Sequence, residues 1–571
     1  MLFHSMQTVN QTQTMLRSLL VLASLIFFFG NLSAQKDFYQ DYIFSQADSL
    51  RGQLRPERTC FDVTYYELNI GIDVSKQFIK GYVDIYFDVL ENTRTIQLDL
   101  FENMTINEIS WYDQPVTYTR VHNAVFVHFP DEMEKGFSST LRVAYEGYPV
   151  KAPNAPWDGG FAWKQDAEGN PWVGVACEGD GASLWWPCKD HLSDEPDSML
   201  INVAVPVGLV CISNGNLRKT NRLNDGYNVF SWFVSYPINS YNVTVNIGKY
   251  VHFSDTYIAM DGDSLQCDYY VLPYNLEKAK KHFKQVHDVL RCYEHYFGKY
   301  PFWNDGYALV ETPYLGMEHQ SCIAYGNNYK RGYLGGMIPR DMDWDYIIVH
   351  ETGHEYFGNA VSVRDHAEMW IHESFTTYME ALFVEYTMSY DDAVRYLESQ
   401  RHFIRNLEPI LGPMDVNFDR WRASDHYFKG AWILHTLRNA IGDDELFFSI
   451  LRNFYDRYKY KTCTTKDFID IVNEKTGMDW TPFFQQYLTY PGVPRLLYDV
   501  QESGKDLVVK FKWEADVPGF DMPVLVGKKG NYTRIMPVTT EVREVGVPNL
   551  SKDDFEVADK LFLIRRKRSS F

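Results

Sequence analysis

The chain has 571 residues, 45% of them hydrophobic and 16% aromatic, so it carries apolar material for several packed cores. Its 75 acidic and 55 basic side chains leave a formal net charge of -20, which argues against a nucleic-acid partner or an anionic membrane surface, since both need basic patches. Eight cysteines are scattered without one C-x-x-C, so a structural zinc ribbon is not expected, while disulfides and buried free thiols both stay open.

In chain order, "MLRSLLVLASLIFFFGNLSAQ" sets Arg17 before an apolar run from Leu19 to Phe29, then small residues up to Ala34. The run is short for a membrane span and reads as a signal peptide over residues 1–34, cut after Ala34, with Met15 as an alternative start. The expectation is an exported protein, periplasmic or extracellular, with no stable membrane span after cleavage; the alternative is an uncleaved anchor.

From Cys60 to Tyr250 the pattern is strand-like. "TYYELNIGIDV", "KGYVDIYFDVL", "NAVFVHF" and "STLRVAYEG" alternate apolar with polar residues between turn signals. From "NLEKAKKHFKQVHDVLRCYEHYFG" the period becomes helical, and it stays so through "DWDYIIVHETGHEYFGNAV", "AEMWIHESFTTYMEALFVEYT" and "FKGAWILHTLRNAIG". Strands return in "KDLVVKFKWEA" and "NYTRIMPVTT", and "RRKR" near the end reads as a solvated tail. The expected fold is multidomain α+β. It comprises an N-terminal antiparallel β domain over 35–250, a mainly helical domain over 251–492 and a small C-terminal β-sandwich over 493–571.

The chemistry concentrates in "YIIVHETGHEYFGN", Tyr346 to Asn359. Helical positions i and i+4 share a face, so His350 and His354 can turn ring nitrogens to one metal ion. Glu351 points about 100° away around the helix, beside the metal, where a general base for water belongs. A third histidine six residues after the second would mark a metzincin, but Ala360 stands there. Further on, Trp370, Phe375 and Met379 point inward from a second helix, with Glu373 in their neighbourhood. Taken alone, Glu373 reads as an exposed helix charge; a buried carboxylate needs a partner, and zinc is one. With the histidine pair, His350, His354 and Glu373 make a ligand set for one zinc ion per chain.

H-E-x-x-H, eighteen residues, then Glu, with "YFGN" after the second histidine, resembles the gluzincin zinc aminopeptidases, the family of alanyl and leucyl aminopeptidases and leukotriene A4 hydrolase. "PYLGMEHQ" resembles the family's G-x-M-E-N motif, "HYFKG" its Y-x-K-G, and "CEGDGASLWWPC" its Q-x-E stretch ending in Pro-Cys. "FFQQYLTYPGVPRL" resembles the end of its catalytic domain, so the likeness runs from about residue 60 to 560. The expectation is a short form without the large C-terminal helical domain of many members.

The resemblance implies a thermolysin-like catalytic domain that removes N-terminal residues from peptides. Glu351 is then the general base and Tyr427 the oxyanion donor. Glu318 and Glu178 hold the free α-ammonium of the substrate, the backbone near Gly316 and Met317 binds the peptide, and Tyr314 lines the first side-chain pocket. Three departures stand out. His319 replaces the motif Asn and Leu315 its first Gly. Ala176 replaces the Gln of Q-x-E. Asp190, His191 and Asp194 lengthen the segment after Pro-Cys, where a second cation is conceivable and a solvated loop is the ordinary reading. The expected partners are peptides with a free N-terminus; nothing in the sequence sets an oligomeric state. The rival readings are an epoxide hydrolase of the leukotriene A4 hydrolase type and a zinc endopeptidase on the same fold.

Overall fold

A computed structural model describes residues 38–571. The expected signal peptide lies outside the described residues.

The alternating N-terminal stretches form an eight-stranded sheet. Its spatial order is 216–222, 227–234, 198–206, 61–73, 78–89, 138–147, 104–111 and 114–115. Ser198–Pro206 alternates strictly between buried and half-buried residues, as a strand with one face on a core must. One pair departs from the antiparallel expectation: Phe61–Asp73 runs parallel to Ser198–Pro206. A parallel pair needs a long crossover. That crossover gives two strands, Gly160–Gln165 and Pro171–Ala176, to a smaller four-stranded sheet completed by Val210–Ser213 and Val245–Gly248, and Pro171–Ala176 leads into Glu178.

Beyond Val251 a five-stranded sheet, in the order 251–258, 264–271, 307–311, 323–325 and 316–317, backs a set of helices. Three of them build the site: α1 (Tyr346–His354), α2 (Trp370–Thr387) and α3 (Asp425–Ile441). The expected one-faced apolar pattern of α2 is corrected, because Trp370 through Val384 are all buried and the helix runs through the middle of the region. The segment expected to continue helical past His354 instead turns back, with the Asn359 N–H donating to the His354 carbonyl at 2.9 Å.

Beyond Pro494, strands form a four-stranded sheet (543–547, 506–514, 495–503, 565–568) and a three-stranded sheet (531–535, 524–528, 556–557). The α+β class is therefore as expected. Among the described residues there are two hydrophobic cores. One fills the N-terminal β region, and the other continues from the helical region into the last two sheets. The Tyr487 hydroxyl donates to the Leu563 carbonyl at 2.8 Å, and the Leu563 N–H donates to Thr436 Oγ1 at 2.9 Å, across that junction. All eight cysteines are buried and unpaired. Among the described residues no helix is long and apolar enough to cross a membrane. "RRKR" is the exposed edge strand Arg565–Arg568, where charge discourages pairing with another chain.

Candidate metal centre

Helix α1 starts where Asp345 caps it, accepting from the N–H groups of Ile347 (2.9 Å) and Ile348 (3.3 Å). The cap is itself fixed, because Asp345 Oδ2 accepts from the Tyr325 hydroxyl at 2.7 Å and meets His282 Nε2 at 2.7 Å. One turn apart on α1, the Nε2 atoms of His350 and His354 lie 3.1 Å from each other. Helix α2 brings Glu373 Oε2 to 3.6 Å and 3.4 Å from them. All three residues are buried.

These spacings match the edge of a tetrahedron around an ion bound at about 2.0–2.2 Å, the range zinc takes with imidazole and carboxylate. The outward ring nitrogens are anchored: His350 Nδ1 meets Glu380 Oε1 at 2.6 Å, and His354 Nδ1 meets the Phe357 carbonyl at 3.0 Å. Such partners hold the Nδ1 protons and leave both Nε2 lone pairs pointing inward. Glu373 Oε2 has no hydrogen-bond donor although the residue is only 3% exposed. A buried carboxylate oxygen without a donor is costly, and a cation between the three atoms removes that cost. Protonation behaviour points the same way. Burial would lower the His350 pKa, yet Glu373 and Glu380 raise it well above the usual histidine range. Burial would raise Glu373, yet His354 and His350 pull it well below the usual carboxylate range. The donor set fits a zinc ion.

Glu351 faces the same cleft. A Cβ added at Gly316 would lie 2.5 Å from Glu351 Oε1, so the strand Gly316–Met317 passes so close to the carboxylate that a larger residue there would force it to shift. Burial pushes the Glu351 carboxyl up to about 7, against the lowering effect of both histidines. Glu318 follows on that strand, with its carboxylate close to Glu351 and His354. It accepts from the Tyr241 hydroxyl at 3.1 Å. Its backbone carbonyl accepts from Asn359 Nδ2 at 2.6 Å, and Glu355 Oε1 accepts from the Ser321 N–H at 3.0 Å. "EYFGN" thus ties the loop after Glu318 to the end of α1.

Helix α3 contributes Tyr427, whose ring stacks near His350 with centroids 6.1 Å apart. Burial, Glu373 and Glu178 hold its hydroxyl protonated, well above the ordinary tyrosine range. Lys429, two residues on, donates to the carbonyls of Tyr490 (2.9 Å) and Pro491 (3.1 Å), so it anchors α3. Glu178 enters from the β region. Burial, followed by Glu318, Glu373 and Glu351, raises its pKa well above the carboxylate range. One cavity of about 620 Å³ is lined by all of these groups: both histidines, Glu373, Glu351, Glu318, Glu178, Tyr427, Gly316 and Met317. It therefore joins nine of the ten residues expected from sequence.

Tyr314 is the exception. It does not line the cavity; its ring lies against Gly174 and its hydroxyl donates to the Val175 carbonyl at 3.1 Å. It packs the inter-sheet contact, and Leu315 occupies the cavity wall instead. The motif departures at His319 and Ala176 do not line the cavity either and are fully buried. Burial drives the His319 pKa down to about 3, and neither of its ring nitrogens has a partner.

The solvated-loop expectation after Pro-Cys is corrected as well. Asp190 Oδ2 accepts from the Ser183 N–H (3.0 Å) and Oγ (2.5 Å), Lys189 Nζ donates to Asp194 Oδ1 at 2.9 Å, and His191 Nε2 meets the Gly52 carbonyl at 3.1 Å. Asp190, His191 and Asp194 thus take partners inside the protein rather than from solvent, although Asp194 Oδ2 is buried without one. Sequence reasoning missed Glu380 and Tyr241. Glu380 lies seven residues after Glu373, two turns along the same face, a spacing that could have exposed it. No local signal marks Tyr241.

Comparison with known proteins agrees with this geometry. The description "Peptidase M1 N-terminal domain" matches residues 63–242, and "Peptidase family M1 domain" matches residues 274–487. The chain is 22% identical over 494 residues to "Probable aminopeptidase 2" of Sulfurisphaera tokodaii, covering 81% of this chain and 60% of that protein. It is 22% identical over 510 residues to "Leukotriene A-4 hydrolase" of Xenopus laevis, covering 81% and 78%. It also aligns with 86% of its own length on "Leucyl aminopeptidase" of Saccharolobus solfataricus at 21% identity, so the chain spans 60% of the length of both of these aminopeptidase relatives. Among solved structures, a two-domain M1 zinc metallopeptidase variant bound to L-tryptophan superposes with a TM-score of 0.63 at 20% identity, covering 77% of this chain and 96% of that one. An M1 zinc metallopeptidase variant from Deinococcus radiodurans bound to a Tyr-Ser-Ala substrate gives 0.62 at 21% identity, covering 77% and 96%.

Proposed function

The chain belongs to peptidase family M1, and from that premise we propose that it is a zinc aminopeptidase. The observation that carries the reading is the convergence of Glu318 and Glu178 on one cavity with His350, His354 and Glu373. His350, His354 and Glu373 would hold the zinc ion, which when bound supplies Lewis-acid activation of the attacking water and the scissile carbonyl.

The chain's own residues do the rest. Glu351 takes the proton of the attacking water and returns it to the leaving amine. The hydroxyl of Tyr427, held protonated by its surroundings, donates to the oxyanion that develops on the carbonyl. Glu318 and Glu178 repel each other across the cavity, and a substrate ammonium between them relieves that repulsion. An N-blocked peptide brings no such charge, which sets the reading frame at one residue from the N-terminus.

Hydrolysis of leucine amide beside N-acetyl-leucine amide tests the reading. Zinc-dependent cleavage of the free-amine substrate alone is expected; equal cleavage of both, or of neither, overturns it. A zinc endopeptidase would need the amine pocket altered, and the departures from the motif at His319 and Ala176 do not line the cavity. For residues 1–34 we propose export followed by cleavage after Ala34. N-terminal sequencing of the secreted protein checks this, and a start at Met1 or Met15 overturns it.

A further inference from the structure

Glu178 is carried by an unusual loop. It is followed by Gly179 at φ 74° and, two residues later, Gly181 at φ 86°. Glycines in that region give a loop little conformational preference of its own. The position is also electrostatically unfavourable, since Glu318, Glu373 and Glu351 all bear on the Glu178 carboxyl. A carboxylate on a soft loop facing three others would swing outward unless something held it.

The loop is closed by its own Gly181 N–H to Cys177 carbonyl bond at 2.6 Å and tied at Asp180 by the Gly159 N–H at 2.7 Å, and two distant side chains hold it further. The Gly179 carbonyl accepts from Arg51 Nη2 at 2.8 Å and from Asn417 Nδ2 at 2.9 Å. Arg51 lies on the short helix Gln46–Gly52, far upstream in the chain, and Asn417 lies on the segment leading into α3. The two arms meet closely: a Cβ added at Gly52 would lie 2.4 Å from the backbone nitrogens of Asn417 and Val416. Upstream of the short helix, the Tyr39 hydroxyl donates to the Pro409 carbonyl at 2.8 Å and the Tyr42 hydroxyl to Glu408 Oε2 at 3.0 Å. Both tyrosine rings stand edge-on to Phe418, at 5.1 and 5.2 Å. On the helix itself, the Leu50 carbonyl accepts from Gln97 Nε2 at 2.9 Å. The joint abuts Glu178 itself, because Arg51, Asn417 and Glu178 line one small cavity of about 20 Å³.

We propose that Arg51 and Asn417 are positioning residues for amine recognition: they clamp the Gly179 carbonyl from two sides and so keep Glu178 in the cleft beside Glu318. The inference deepens the aminopeptidase reading and rests on it. Neither residue lines the main cavity, so neither touches substrate.

The test uses the full-length, zinc-loaded protein as wild type, Arg51→Met, Arg51→Lys and Asn417→Gly. Glycine at 417 keeps the φ of 47° found there while removing the donor. Leucine amide and its N-acetyl twin are the substrates, and binding of leucine amide to the zinc-free protein is measured separately. Loss of one donor to the carbonyl is expected to raise KM for leucine amide and weaken its binding about fivefold, with kcat within about twofold. The preference for the free amine should narrow in proportion. Lysine at 51 retains a donor and should recover most of the loss. The Met and Gly changes should be non-additive, since both act on one acceptor.

Unchanged KM and selectivity in folded variants would overturn the proposal, as would a fall in kcat alone. If Arg51→Met fails to fold, Asn417→Gly, in a half-exposed loop, decides. A wild type that cleaves both twins alike sinks the aminopeptidase reading itself. A discriminating wild type with indistinguishable variants sinks only the clamp.

Discussion

The two sides of the cleft are built differently. The metal side takes its three ligands from 24 consecutive residues, His350 to Glu373, on two buried helices that pack together. The amine side takes Glu178, Tyr241 and Glu318 from three separate elements, and Glu178 depends further on Arg51 and Asn417. A helix face fixes relative side-chain positions through its own hydrogen bonds. A set of loops holds positions only through contacts made after folding. The metal side should therefore tolerate little change and fail in chemistry, whereas the amine side should fail by degrees in binding and selectivity.

The largest expected effect breaks the chemistry and leaves the metal side standing. Glu351→Gln should lower kcat by about 10²–10⁴-fold while zinc content, read by elemental analysis, stays at one per chain. Near-normal turnover in that variant would remove Glu351 from its role. Next in size, Tyr427→Phe should reduce kcat by about 10²–10³-fold with little change in KM, because an oxyanion donor acts only as charge develops. A rise in KM alone would assign Tyr427 to ground-state binding.

Glu380→Gln sharpens the metal side from behind. It removes the carboxylate that orients His350, and competition with a chelator should show zinc affinity about 10–100-fold weaker. Unaltered affinity would make that contact a packing detail.

The smallest effect is in pH. Burial holds the metal-free Glu351 carboxyl at about 7, above the ordinary 4.5. Only the deprotonated form accepts a proton, so kcat/KM should fall as pH drops through this pKa. Bound zinc favours the carboxylate and moves that acid limb below 7. A limb above 7 would mean that a different group is titrating.

The order of β, helical and β regions was readable from periodicity, since burial on one face imposes a period of 2 on strands and a helical repeat on surface helices. Where burial is complete, periodicity still marks a helix but no longer assigns its faces, as in α2, where Trp370 through Val384 are all enclosed. The parallel pairing of Phe61–Asp73 with Ser198–Pro206 was likewise invisible, because strand direction leaves no mark on alternation. His350, Glu351, His354 and Glu373 were legible from spacing. Tyr314 was misread because its motif neighbours face the cleft while its own ring turns to Gly174. Asp190 and Asp194 were misread as solvated because their partners, Ser183 and Lys189, could not be recognised as such in a charged stretch.

By itself, then, the sequence determined the metal centre, since one helical turn carries i and i+4 side chains to one ion whatever surrounds them. Only the tertiary structure decided the amine side. It swung a loop of the β region across to Glu318, left His319 and Ala176 out of the cavity lining, and brought Arg51 to Asn417 across most of the chain. Contacts between residues so far apart in sequence are set by how sheets and helices pack, and no local pattern encodes them.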